Sequence, residues 1–484
     1  MDTNNKPLQS KSLQWFAAII CSLFVGFLWH FYPHPFVAIS LGFLILAALY
    51  TLNHPFVMVL FFVIFSFFRI HEVFPQLYSL KIPLFLSLGS LTALIWQVGI
   101  TRKIKLFWCK EFTLLTYFLL LVIIGVIFSS NRPLAIEYFK NIYWKIILMT
   151  FSIAVLVRTP QQIAFTLKAI TIAGALVGIV AIQNKLGGIG LVEGSRVTIG
   201  REFGSMLGDP NDLALVLLFP TSFAVGLLVT HQLPWCQRLI GFIAIPILFW
   251  AIMATQSRGG LLGVIAVFGI YGLQRIKSKV LLISIAIIAA GCLFVIAGIS
   301  DRSSGGAAEA GVDESAMGRL YAWEAAFKMA LNNPLTGVGL DNFYSNYFYY
   351  SPHWDGLNHA VHSTWFGVLA ETGFLGLGIF IALIVVVIKS ANRTLQAIKA
   401  VQDEIDPAIY TSAQAVFAGL IGTIVSGTFL TQGFNWPIYI LAALVVAVTK
   451  TSERALNQIE ENAQKSGIQN DSQNEKKQKT KKWE

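Results

Sequence analysis

Apolar runs of about 15–22 residues recur along nearly the whole chain, which is the length a helix needs to cross a hydrocarbon core. Lipid offers no partner to an unpaired backbone amide, so runs of this kind exclude open sheets and leave helices as the spanning element. Spans are predicted at 13–32, 35–52, 55–70, 82–100, 112–129, 141–157, 162–183, 211–230, 239–256, 259–273, 280–299, 363–388, 409–430 and 436–449. The third, tenth and fourteenth are short for a bilayer, so the expected fold is an all-α polytopic membrane protein with about 12–14 transmembrane helices. Only 12% of the 484 residues are charged, about half the share of a soluble domain.

Charge orders the spans across the membrane. With Lys6 and Lys11 on the cytoplasmic side, the connections at Arg102–Lys110, Arg158, Arg238, Arg275–Lys279 and Lys389–Lys399 follow there too, as the positive-inside rule requires. Both termini are then cytoplasmic, and the opposite, external face receives 184–210, the tip at Ser257-Arg258, and 300–362. The expected organisation is N-terminal transmembrane helices over 1–299, an external catalytic loop at 300–362, C-terminal helices over 363–450, and a disordered basic tail at 451–484. The first span has no small-residue cleavage site and reads as an uncleaved anchor. Net charge +10 is mostly topology, and the Lys-rich tail suits anionic lipid rather than nucleic acid. Cys21, Cys109, Cys236 and Cys292 avoid the external loops, so no disulfide framework is expected.

Against this apolar background one polar stretch stands out, from Ile299 to Gly378. Ordered chemistry in a membrane protein concentrates in such insertions. The external face carries Arg69, Arg132, Arg196, Arg201, Arg258, Arg302 and Arg319. Basic residues are disfavoured there, and arginine offers a flat fork of donors that grips phosphate oxygens two at a time. Each alone could snorkel or pair with a local acid; as a set they suit an anion site. Arg258 sits in SRGG between two spans, and its glycines allow close approach of a helix or a ligand. Arg319 has Tyr321, Trp323 and Phe327 nearby, suiting an interfacial belt or sugar stacking. Arg201 precedes GDPNDLA, where Asp209 and Asn211 read as a helix cap. His359 and His362 are three apart, on one face if helical, and histidine is suited to accept a proton from a hydroxyl near neutral pH. Glu371, deeper in the same span, is expected to be paired and structural. The acidic residues Asp301, Glu309, Asp313 and Glu314 have no calcium-loop spacing, and no nucleotide fingerprint is present, so neither a metal nor a cofactor is expected.

Four segments in order, SRGG (257–260), G-R-x-x-x-W (318–323), N-P-L-x-G-V-G (333–339) and H-S-x7-E-x-G (362–373), resemble the O-antigen ligase family. GDPNDLA at 208–214 is similar to the family's pattern as well, and Ser363 stands where the family often has Asn. The resemblance spans about Gly194 to Gly378. It implies a GT-C-like membrane glycosyltransferase at the outer face of the bacterial inner membrane, independent of metal and ATP. The implied partners are a polyprenyl (undecaprenyl) diphosphate-linked glycan and an acceptor glycolipid, glycan or protein. His362 would be the base, with Arg319 and Arg258 holding the diphosphate. Arg201, Arg196, His359, Trp323 and Asn211 would complete the substrate site. A ligase acting on lipid A-core or another surface acceptor leads; a repeat-unit polymerase or a protein O-oligosaccharyltransferase would use the same donor parts. A lipid-linked glycan transporter fits less well, because transporters set their sites at the midplane between paired halves.

Overall fold

The computed structural model describes residues 50–296 and 314–480, with isolated positions between Trp15 and Phe27. The expected spans 13–32 and 35–52, Arg302 and most of the acidic loop lie outside the described residues. Among the described residues the architecture is all α-helical. Among these residues eight helices are long and apolar enough to cross a membrane, so the chain is an all-α polytopic membrane protein.

In chain order the helices are α1 (Pro55–Phe67), α2 (Ile82–Ile100), α3 (Lys110–Ile127), α4 (Arg132–Leu156), α5 (Pro160–Gly187), α6 (Pro210–Val229) and α7 (Trp235–Ala254). They continue as α8 (Arg258–Arg275), α9 (Lys279–Ile296), α10 (Glu314–Asn332), α11 (Phe343–Tyr350), α12 (Thr364–Lys399), α13 (Pro407–Gly427) and α14 (Trp436–Thr480). Local sequence sets their starts. Thr159 and Gln162 form a reciprocal capping box ahead of α5, with Pro160 in the first turn. Asp209 with Pro210, and Asp406 with Pro407, start α6 and α13 in the same manner. A side-chain acceptor and a proline without an N–H together quiet the unpaired amides of a first turn.

Helix α6 is the axis, buried along nearly its whole length and packed on α5, α7, α8 and α13. Small residues let these neighbours close in. A Cβ at Gly260 would lie 2.6 Å from Ala214 Cβ, and one at Gly263 would collide with Leu218. The glycines after Arg258 therefore serve contact between helices.

Successive spans alternate in direction, and charge separates the two ends. Lys103, Arg158 and Arg454 meet at one end, as do Lys110, Lys389, Arg393 and Lys450. The loops at 188–209, 333–342, 351–363 and 428–435 occupy the other. There α10 and α11 form an ordered cap with a small core of its own, including Ala322, Met329, Val338, Phe343 and Tyr347.

One expectation is revised by α14, which stays helical to Thr480 through the stretch read as a disordered tail. Its Ala, Glu, Gln and Lys residues are good helix formers, and the Lys450–Glu453 pair at 2.7 Å spans one turn.

Candidate active site

The site is built where α12 begins. Ser363 is the N-cap of α12, its Oγ accepting from the Phe366 amide at 3.4 Å. His362 therefore falls outside the helix, in the left-handed region at φ 43°. The shared helical face expected for His359 and His362 is not formed, because the segment before the cap is irregular. A left-handed non-glycine residue costs about 1–3 kcal/mol and persists only where its surroundings over-determine it.

They do so here on both sides. The Trp323 indole N–H donates to Val361 O at 3.1 Å, and the same ring stacks on Phe366 at 5.1 Å and 10°. Thr364 Oγ1 donates to the carbonyls of Gly427 and Leu430 at 2.7 and 2.8 Å, pinning the first turn of α12 to the loop before α14. Gln432 of that loop donates onward to Asp212 Oδ1 at 2.7 Å. The residues on either side of His362 are thus tied to α10, α13 and α6.

Three charged groups act on the imidazole. Burial pulls its pKa below the usual value, the Arg319 guanidinium lowers it further, Asp209 opposes them, and His359 again lowers it. The net effect lowers its pKa, which favours the neutral form that accepts a proton. Arg319 also lies 6.0 Å over the Phe429 ring. Phe429 in turn covers the start of α8, where a Cβ at Gly259 would lie 3.6 Å from Phe429 Cβ. The loop at 428–435 thus joins Arg319 to the turn that carries Arg258, which is half-buried at the first position of α8.

Other candidates are used differently. Arg196, 3% exposed, donates from Nε to Thr255 O at 3.1 Å and from Nη2 to Asn211 Oδ1 at 2.8 Å. That bonding makes Arg196 and Asn211 a strut between the 188–200 loop, the start of α6 and the end of α7. Trp323 spends its N–H and one face on the frame around His362. His359 Nε2 lies 2.9 Å from Asp355 Oδ2 on the exposed rim. Arg201 is exposed on a single turn, and among the described residues no contact joins it to the His362 group.

The most specific part of the sequence motif proves to be scaffold. Gly373, at φ 70° and ψ −172°, interrupts α12. The break frees Ala370 O to accept from Val338 N at 2.8 Å and lets Phe374 N donate to Pro334 O at 2.8 Å. A Cβ at Gly337 would meet Thr372 N at 2.5 Å, so N-P-L-x-G-V-G fits into the break. Glu371 accepts from the amides of Asp341 and Phe343 at 2.9 and 3.4 Å, capping α11 from the side. Sequence reasoning took Asp209 as a helix cap alone; it does cap α6, accepting from the Asn211 and Asp212 amides, and its charge also raises the His362 pKa. Phe429 carried no sequence signal at all.

Comparison with family models places this geometry. Residues 243–381 match the model of the O-antigen ligase family. That stretch is similar to the O-antigen ligase family. It contains Arg258, Arg319, Trp323, His359, His362, Glu371 and Gly373, while Arg196, Arg201, Asp209 and Asn211 lie upstream of it. The match supports a membrane glycosyltransferase of ligase or polymerase type, working on a lipid-linked glycan and an acceptor. No curated protein matches the chain.

Proposed function

We propose that the protein transfers a glycan from a polyprenyl diphosphate carrier to an acceptor hydroxyl, acting as a ligase at the outer face of the inner membrane. The observation that carries this reading is His362, in a left-handed turn ahead of α12, where burial and the Arg319 charge lower its pKa against the opposing charge of Asp209. His362 takes the proton of the acceptor hydroxyl. The oxygen attacks the anomeric carbon, and the bond from that carbon to the diphosphate oxygen breaks with inversion. The electron pair leaves on the polyprenyl diphosphate, whose added charge Arg319 and Arg258 stabilise. His362 then gives its proton to water. The glycosyl diphosphate bond supplies the energy, so no nucleotide is consumed.

Arg196, Asn211 and Trp323 hold the frame of this site, and Arg201 and His359 line its approach. The test is the glycan profile of a strain lacking the gene, with lipid-linked intermediates measured in parallel. Bare acceptor with long glycan accumulating on the carrier is the expected result. Acceptor bearing a single repeat unit identifies a polymerase instead, and unglycosylated protein with normal surface glycan identifies a protein oligosaccharyltransferase. No change in any glycan overturns the transferase reading.

A further inference from the structure

At the end of the bundle remote from His362, α3, α12 and α14 diverge around an open cavity of about 630 Å³. Lys110, Lys389, Arg393 and Lys450 line it, against only two carboxylates, Glu111 and Glu453. Lys450 is committed, with Nζ 2.7 Å from Glu453 Oε2 and 5.8 Å from the Phe107 ring centroid. Among the described residues no ion pair takes up Lys110, Lys389 or Arg393. Hydroxyls join the cations on the wall. Thr394 Oγ1 lies 2.9 Å from Thr449 Oγ1, and Ser390 Oγ lies 3.4 Å from the same atom.

Positive-inside bias accounts for cations in short loops. It does not ask that they converge on one cavity from three helices far apart in sequence. A second observation concerns the rim. Trp108, 63% exposed, stands at the rim, the position amphipathic rings take at a membrane interface. A cationic, hydroxyl-lined chamber with an exposed tryptophan at its rim matches the phosphate head of an amphiphile.

We propose that this cavity binds the phosphate headgroup of an anionic phospholipid. Lys389 and Arg393 hold the phosphate, and the Ser390 and Thr394 hydroxyls donate to its oxygens. The proposal does not depend on the transferase reading.

The test uses the full-length protein in neutral detergent, with phosphatidylglycerol, phosphatidylcholine and inorganic phosphate titrated separately and retention read by native mass spectrometry. The wild type is expected to retain phosphatidylglycerol over phosphatidylcholine. Lys389→Gln with Arg393→Gln should weaken phosphatidylglycerol binding about thirty-fold, since each basic side chain near an anionic headgroup contributes roughly a five-fold factor. Equal retention of the two lipids, or wild-type phosphatidylglycerol affinity in the double variant, overturns the proposal. Inorganic phosphate binding as tightly as phosphatidylglycerol makes this a free-anion site and overturns the lipid assignment.

Discussion

Replacing Gly373 with alanine tests whether the glycines of the motif are scaffold. The residue sits at φ 70° and ψ −172°, a region open essentially to glycine alone, so alanine there costs about 1–3 kcal/mol in backbone strain. The new methyl would also lie 2.7 Å from Pro334 C and 3.0 Å from Asn333 O. Overpacking of this kind against backbone adds about 1–3 kcal/mol. The sum, about 2–6 kcal/mol, is a thirty-fold or greater shift in the local opening equilibrium. The amides that report it are Val338, bonded to Ala370 O, and Phe374, bonded to Pro334 O. Hydrogen exchange measured by mass spectrometry over 333–342 and 370–378 should therefore quicken at least thirty-fold in Gly373→Ala. Gly378→Ala is the control on the same helix. Nothing lies within 4 Å of its added methyl, and alanine in a helix interior is favoured over glycine by about 1 kcal/mol. Wild-type exchange and melting in Gly373→Ala would refute the scaffold assignment.

Asp209→Asn keeps a good N-cap for α6 and removes the negative charge that raises the His362 pKa. The imidazole then stays neutral to lower pH, so the acid limb of the kcat/KM profile should move down and the plateau should fall with the weaker base; an unmoved or upward-shifted limb contradicts the pairing. Trp323→Phe keeps the stack on Phe366 but deletes the N–H bond to Val361 O, leaving a carbonyl whose lost partner costs about 1–3 kcal/mol. Turnover should fall while donor affinity holds, and unchanged turnover removes Trp323 from the frame of His362.

Much of this was legible in the sequence because the bilayer imposes it. Span length, the basic connections and the arginines at the opposite end follow from hydrocarbon thickness and charge. The family resemblance was likewise visible in short segments around Arg258, Arg319 and His362. What stayed hidden is tertiary. Asp209 looks like a helix cap in any sequence, and only the fold brings its charge to bear on a histidine more than 150 residues away. The spacing of His359 and His362 suggested a helix, yet with Ser363 as its cap the helix starts only at Thr364, beyond both of them. Trp323, placed among sugar-stacking candidates, is consumed by a carbonyl and a phenylalanine. Arg196 illustrates the same limit, since an external arginine resembles an anion ligand until its donors are traced to Thr255 and Asn211.

The central claim is that His362 acts as a base rather than as a packing residue, and His362→Asn tests it most directly. Asparagine tolerates the left-handed backbone at this position and retains polarity without basicity. Purified protein would be reconstituted with a polyprenyl diphosphate-linked glycan and an acceptor, and turnover and donor retention measured together. A hundred-fold or greater loss of turnover, with donor binding and melting unchanged, is the predicted result. Near-wild-type turnover in that variant would contradict the account.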